Sequence, residues 1–302
     1  MQHETSRAVF HDAALDSKFE RDGFVVTRLL EPEAAEALRS DLHAIDDRIG
    51  PVPLKPGDIL SRSFFHPDTR HRSAVDDVAR AYFEPRLLGL LKEYRLLGVG
   101  TMTKQGGAGE MEIHRDWAIT REEGRPAISS WLALDATTPE NGALAVLAGS
   151  QRLPNIETLG VDSGYERFSA RLKRRSQMLS VAPGEAVLFD NRLLHWAARN
   201  KTNRPRHAMR GFLLPAEEPH IFYRLDQTAG ESRFHLLDVS VHPVIASDPG
   251  DVEEDGKRAS LGWVPNGNRE LSYKECEHLL GGGAPTVSGP AVLRRIARYF
   301  SR

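Results

Sequence analysis

Four side chains of this 302-residue sequence could together hold a metal ion and a dicarboxylate: His114, Asp116, His195 and Arg206. His114 and Asp116 stand two apart in "EIHRDWAI", which otherwise has the texture of a strand. Residues i and i+2 of a strand project from one face, so an imidazole and a carboxylate would lie side by side. A third ligand is offered by His195 in "VLFDNRLLHWAARN", at the end of another apolar strand pair. Two neutral imidazoles and one carboxylate on one face of a metal suit ferrous iron and leave positions open, unlike a closed tetrahedral zinc site. Further along, Arg206 begins another strand, and its planar guanidinium fork matches a carboxylate bidentately. Taken singly, an HxD is a common chance pair, a histidine beside Trp196 an ordinary core residue, and an arginine an ordinary surface charge. Their order and strand context give the combination its meaning.

Composition limits the alternatives. The 40 basic and 42 acidic side chains leave a formal charge of -2, too balanced for general affinity to nucleic acid or membrane, so the expected partner is a small molecule. The one cysteine, Cys276, excludes a disulfide framework and any thiolate-rich zinc or iron-sulfur site, so a metal would depend on histidine and carboxylate. The N-terminus lacks the apolar run of a signal peptide and no stretch approaches the ~20 apolar residues of a membrane span, which reads as a cytoplasmic protein. Oligomeric state is not legible.

The elements that must position these side chains fall into three stretches. Residues 1–96 read as a mainly helical flank, with a short strand at Phe24-Val25-Val26 after the turn Asp22-Gly23. One helix starts at Pro32 and carries Leu38, Leu42, Ile45 and Ile49; a second, from about Ser73 to Tyr94, is expected to be interrupted by Pro85. Residues 97–215 hold short apolar or alternating runs such as "LLGVGTMTK", "AISSWLALDA", "ALAVLAGS", "EAVLFD" and "HAMRGFLL", separated by turns at Asn141-Gly142 (a hairpin signal) and Pro183-Gly184. Many short strands point to an antiparallel sandwich or barrel. The stretch "ERFSARLKRRSQ" reads as a solvated helix or loop. Residues 216–302 form an extension with an acidic loop at "DPGDVEEDGKR" and a basic amphipathic helix at "AVLRRIARYF", suited to a lid or a dimer contact.

The sequence resembles the phytanoyl-CoA dioxygenase (PhyH) family of iron(II) and 2-oxoglutarate-dependent oxygenases. The resemblance rests on "FERDGFVVTRLL", "HRD" at 114–116, "SWLALDATTPENGALAVLAGSQ" at 130–151, "PGEAVLFDNRLLHWAARNKT" at 183–202 and Arg206, and it covers well over half of the chain. It implies a single oxygenase domain, mainly β with flanking helices (α+β), built on a double-stranded β-helix: a cupin-like jelly roll. It implies that His114, Asp116 and His195 ligate iron, that Arg206 holds the distal carboxylate of 2-oxoglutarate, and that Trp131 lines the cosubstrate pocket. Three departures stand out: Arg115 where the family often has glutamine, Ala197 where it often has serine, and "GSQ" at 149–151 in place of "GSH".

The activity so implied is decarboxylation of 2-oxoglutarate to succinate with dioxygen, coupled to oxidation of an unactivated C-H bond of a small molecule such as a secondary metabolite or amino-acid derivative. The presence of Asp116 favours hydroxylation over halogenation, because halogenating relatives have a small residue there. Arg210, four residues after Arg206, would face the same way in a strand. With Arg115, Arg121 and Arg125 near the HxD stretch, it suggests an anionic substrate bound by Arg210 and Arg115; the competing expectation pairs these arginines with Glu122 and Glu123. The main rival function is a cupin-like hydrolase or isomerase that uses the same three ligands without 2-oxoglutarate, and it leaves Arg206 without a task.

Overall fold

The computed structural model of the chain describes residues 8–54, 58–121, 124–227, 232–240 and 258–281. Two antiparallel sheets face each other. The larger has the order β1 (Phe24–Arg28), β8 (Glu185–Asp190), β5 (Ile128–Ala133), β10 (Arg206–Pro215), β3 (Tyr94–Lys104) and β2 (Ser61–Arg62). The smaller has the order β4 (Met111–His114), β9 (His195–Ala197), β6 (Leu144–Val146) and β7 (Gln177–Met178). This is a jelly roll, and the two-residue alternation of each strand sorts its side chains between two cores. Met102, Trp131, Ala133, Val187, Phe189 and Ala208 point inward between the sheets. Their neighbours Leu132, Leu188, Met209 and Leu213 point outward, beneath the helices.

Those helices cover the outer face of the larger sheet. α1 (Ala13–Asp22) is capped by the Asp12 carboxylate, which accepts from the backbone of Ala14 and Leu15. α2 (Pro32–Ile49) starts on a proline, whose missing N–H would have had no partner there, and buries Ala35, Leu38, Leu42 and Ile45 at the expected spacing. α3 (Thr69–Leu90) runs unbroken past Pro85, contrary to the expected interruption. Phe83 and Leu87, on either side of the proline, are fully buried, and that burial outweighs the lost backbone hydrogen bond. The early strand is part of the larger sheet, paired with β8, so the helical flank is threaded into the barrel rather than appended to it.

Two further expectations change in three dimensions. The strands either side of Asn141-Gly142, β5 and β6, belong to different sheets, so the turn is a crossing and not a hairpin. Gly142 has φ +89°, and a Cβ there would collide with the Lys104 side chain. The basic stretch after Glu166 does form a short helix, α4 (Ser169–Arg175), with Leu172 buried and Lys173 paired to Glu110 and Glu112.

Beyond Pro215 the chain forms a third, three-stranded sheet of β11 (Ile221–Asp226), β12 (Arg233–Asp238) and β13 (Ser260–Pro265), then α5 (Tyr273–Leu280). Ile221, Tyr223, Phe234 and Leu236 pack on Ala118 and Val161, and the Tyr223 hydroxyl donates to the Thr120 carbonyl at 2.9 Å. On the opposite side, Cys276 and Leu279 of α5 share a cluster with Ile113 and Trp196, behind β4 and β9. The extension therefore clasps the segment that carries His114 and Asp116. The basic helix expected at 291–300 and most of the acidic loop lie outside the described residues. No helix among the described residues is long and apolar enough to cross a membrane.

Candidate metal centre

His114 and His195 face each other across the β4–β9 ladder, as partners in register, with ring centroids 4.3 Å apart. The strand ends at His114, so Asp116 reaches the site from irregular backbone and not by strand alternation. Its N–H donates to the Asn191 carbonyl at 3.1 Å, and its Oδ2 accepts from the Ser129 hydroxyl at 2.6 Å. Its Oδ1 lies 3.7 Å from His195 Nε2. One ligand atom from each of the three residues falls within 4.8 Å of the others, the one such group found among the described residues.

The hydrogen bonds around the imidazoles fix which nitrogen is free. His114 Nδ1 lies 2.7 Å from the Glu112 carbonyl and His195 Nδ1 lies 3.0 Å from the Leu193 carbonyl. A carbonyl only accepts, so Nδ1 carries the proton in both rings and Nε2 presents its lone pair to the centre. Burial holds both histidines below their ordinary value, His114 down to about 3, where the neighbouring His195 adds to the effect. They are therefore neutral at pH 7, as ligands must be. Burial alone would push Asp116 up, but the Arg210 guanidinium, the two imidazoles and the Ser129 hydroxyl outweigh it, and the carboxyl is held well below the usual range. A neutral, neutral, anionic donor set with mixed nitrogen and oxygen fits a divalent metal such as iron.

Arg206 supplies the second half of the site. It is 2 % exposed, on the inner face of β10, with its guanidinium 4.9 Å over the Trp131 ring. Its Nε and Nη1 are buried and donate to nothing. Lys104 is its partner in register on β3, and is fully buried too. The Lys104 ammonium donates to the Gly109 carbonyl at 2.6 Å and, by burial and the adjacent Arg206 charge, is pulled down to about 8. Burial likewise lowers Arg206, to about 10. Two buried cations side by side with unfilled donors are costly unless an anion joins them, so the cleft fits a carboxylate from outside the chain.

The arginines expected to face a substrate divide. Arg210 does turn inward: its Nη2 pairs with Asp116 Oδ1 and lies 3.3 Å from Ser129 Oγ, while the guanidinium sits 4.7 Å over Phe212. Arg115 turns away from the centre. It is 2 % exposed and donates to the carbonyls of Ser150 (2.8 Å), Leu153 (2.7 Å), Pro154 (3.3 Å) and Asn155, with Tyr165 beneath it. It pins the 150–155 turn, and those four bonds hold it away from a substrate. Arg125 is tied to the Ala8 and Lys92 carbonyls and pairs with Glu93 and Glu217, which removes it from the site as well.

Three residues of the site were not singled out by spacing. Lys104 was legible as a lysine at the end of an alternating run; Ser129 sits in a fully buried "ISSW" run, where a buried serine asks for a partner. Glu157 accepts from the Arg115 N–H at 3.1 Å, and burial raises its carboxyl to about 8; nothing in its local sequence marks it.

The pattern of the family described as Phytanoyl-CoA dioxygenase (PhyH) matches residues 19–208. An ectoine dioxygenase from Nocardia farcinica (strain IFM 10152) is 26% identical, over 63% of this chain and 73% of that protein. A 2-aminoethylphosphonate dioxygenase from uncultured bacterium HF130_AEPn_1 is 30% identical over 34% of this chain, and the match spans only 39% of that protein. Among solved structures, the epimerase SnoN in complex with Fe3+, alpha ketoglutarate and nogalamycin RO superposes with a TM-score of 0.51 at 18% identity, covering 68% of this chain and 84% of that one. That likeness is one of fold.

Proposed function

Since the chain belongs to the phytanoyl-CoA dioxygenase family, we propose that it is an iron(II) and 2-oxoglutarate-dependent dioxygenase that hydroxylates an unactivated C-H bond of a small molecule, a secondary metabolite or amino-acid derivative. The observation that carries this reading is the pair of buried cations on the inner face of the larger sheet, Arg206 with Nε and Nη1 unfilled and Lys104 beside it. A hydrolase or isomerase built on the same three ligands has no use for them.

His114, Asp116 and His195 hold the iron through the two Nε2 atoms and one carboxylate oxygen. Arg206 and Lys104 take the distal carboxylate of 2-oxoglutarate, and Trp131 walls its chain. Bound there, iron(II) and 2-oxoglutarate would let dioxygen serve as the oxidant, one oxygen atom going to succinate as 2-oxoglutarate loses carbon dioxide and the other to the substrate carbon. The protein's own work is positional. The Glu112 and Leu193 carbonyls aim the imidazoles, Ser129 and Arg210 aim the carboxylate, and the apolar inner face keeps water from the oxidant. No side chain need move a proton. The whole chain acts as one oxygenase unit, with residues 97–215 as the catalytic core and the flanks as its supports.

The test is anaerobic. Iron(II) and 2-oxoglutarate added together should give a weak visible charge-transfer band, absent with either alone and lost in Asp116→Ala. With oxygen, succinate should form and should form faster as the right substrate is supplied. Product formation that needs neither oxygen nor 2-oxoglutarate would overturn the proposal. Nogalamycin-type epimerisation is the outcome named for a structural neighbour, so the identity of the oxidised product is to be read from the substrate rather than assumed.

A further inference from the structure

Arg210 is a second cation at the centre, at the opposite side from the cosubstrate anchor. It follows Arg206 by four residues on the same face of β10, about 13 Å along the strand. Its Nη2 meets Asp116 Oδ1, the oxygen that also faces His195 Nε2. That is the oxygen a metal would engage, and a divalent ion held there takes over its charge. The rest of the guanidinium is under-used, since Nε is buried and donates to nothing. Charges do not close around it either. The distal carboxylate of 2-oxoglutarate would face Arg206 and Lys104, while its other carboxylate and Asp116 would offset a divalent ion, so Arg210 keeps its own positive charge.

The surroundings are aromatic. Arg210 rests on Phe212, and Phe212 lies 5.8 Å from Phe64. The strand facing them has no side chains at that level: Gly100 is opposite Arg210 and Gly98 opposite Phe212. A Cβ at Gly100 would come within 2.6 Å of the Phe64 ring, so the glycine is what admits that ring.

We propose that Arg210 recognises an oxyanion on the substrate, a carboxylate or a phosphonate or phosphate group, and by donating to it sets a neighbouring C-H bond before the metal, alongside the packed Phe64–Phe212 pair. The proposal rests on the oxygenase reading above. A guanidinium with an unfilled Nε, seated on an aromatic face, has a charged donor left for such a group.

The probes are methylphosphonate and acetate, with uncharged acetamide as control, titrated calorimetrically into the anaerobic iron(II), 2-oxoglutarate-loaded protein. Both anions should bind and acetamide should not. Arg210→Gln, kept saturated with iron(II) and 2-oxoglutarate, should weaken both by about tenfold or more, the loss of a charged hydrogen bond. Arg210→Lys, which keeps the charge without the fork, should fall between the two. Should the glutamine variant not fold, the lysine variant decides alone, and unchanged anion affinity in it overturns the proposal. Anions that bind the parent no better than acetamide overturn it as well, and so does an Arg210→Gln that loses 2-oxoglutarate while keeping the anions, for then the arginine serves the cosubstrate. If the visible band never forms, the oxygenase reading fails first; if it forms and the anions do not bind, only this inference fails.

Discussion

Arg115 and Arg206 are buried to the same 2 % exposure and do opposite things. Arg115 gives both terminal nitrogens to four backbone carbonyls of one turn and leaves only Nε unfilled. Arg206 rests on an aromatic ring with Nε and Nη1 unfilled. The first is a strut that completes a fold; the second is half of an interaction whose other half must arrive. Burial does not separate the two cases, and neither does residue type. What separates them is whether the chain itself satisfies the hydrogen-bonding groups it has hidden.

Isosteric replacement should pull the two arginines apart. Arg206→Met is expected to cost about 100-fold or more in 2-oxoglutarate affinity, the scale of removing one member of a buried charge pair. The same variant without ligand should melt no lower than the parent, because an uncompensated charge has gone. Calorimetric titration and a thermal scan of one sample check both halves, and a large drop in melting temperature would contradict the distinction drawn above. Arg115→Met should show the reverse pattern. Stranding its carbonyl acceptors should lower the unfolding free energy by about 3 kcal/mol or more, read from denaturant titration, while 2-oxoglutarate binds the folded fraction as before.

Smaller effects sharpen the picture. Ser129→Ala leaves Asp116 Oδ2 without its donor and should weaken iron(II) binding about tenfold, the low end for loss of a group supporting a ligand. Competition with a metal-chelating dye measures this. Lys104 gives a pH dependence with a defined direction. Its folded value of about 8 lies below the ordinary 10.5, so between those values the unfolded chain holds the proton and the ligand-free fold does not. Stability of the ligand-free protein should therefore rise with pH across that window. Affinity for 2-oxoglutarate should move the other way, falling above about pH 8 by at most about tenfold per pH unit as the ammonium is lost. In Lys104→Met both trends should flatten.

How much of this was legible follows the range of the interactions. Strand alternation and helix spacing are local, so the runs that became β3, β5, β8 and β10 and the buried face of α2 could be read directly. The ligand triad was legible as residue types in order, although Asp116 arrives by a turn anchored on Asn191 rather than by the strand face assumed for it. Pro85 misled because local propensity was overruled by the burial of Phe83 and Leu87. Asn141-Gly142 misled because a turn signal says nothing of which sheet the next strand joins. Arg115 was misjudged, and Lys104 and Ser129 overlooked, for one reason: where a side chain ends up bonded is decided by contacts between residues far apart in the chain, which spacing does not record.

Strand β10 carries both inward arginines, and a strand is among the least extensible things a protein makes. If Arg206 and Arg210 grip the two reactants, the gap between them is a ruler cut into the backbone, and no loop movement can reset it. A new substrate would then have to present its charged group at a set remove from the carbon to be oxidised. Diversification would proceed by reshaping the walls around Phe64 and Phe212 or by exchanging Arg210 itself, while the measure between the two anchors stayed the same.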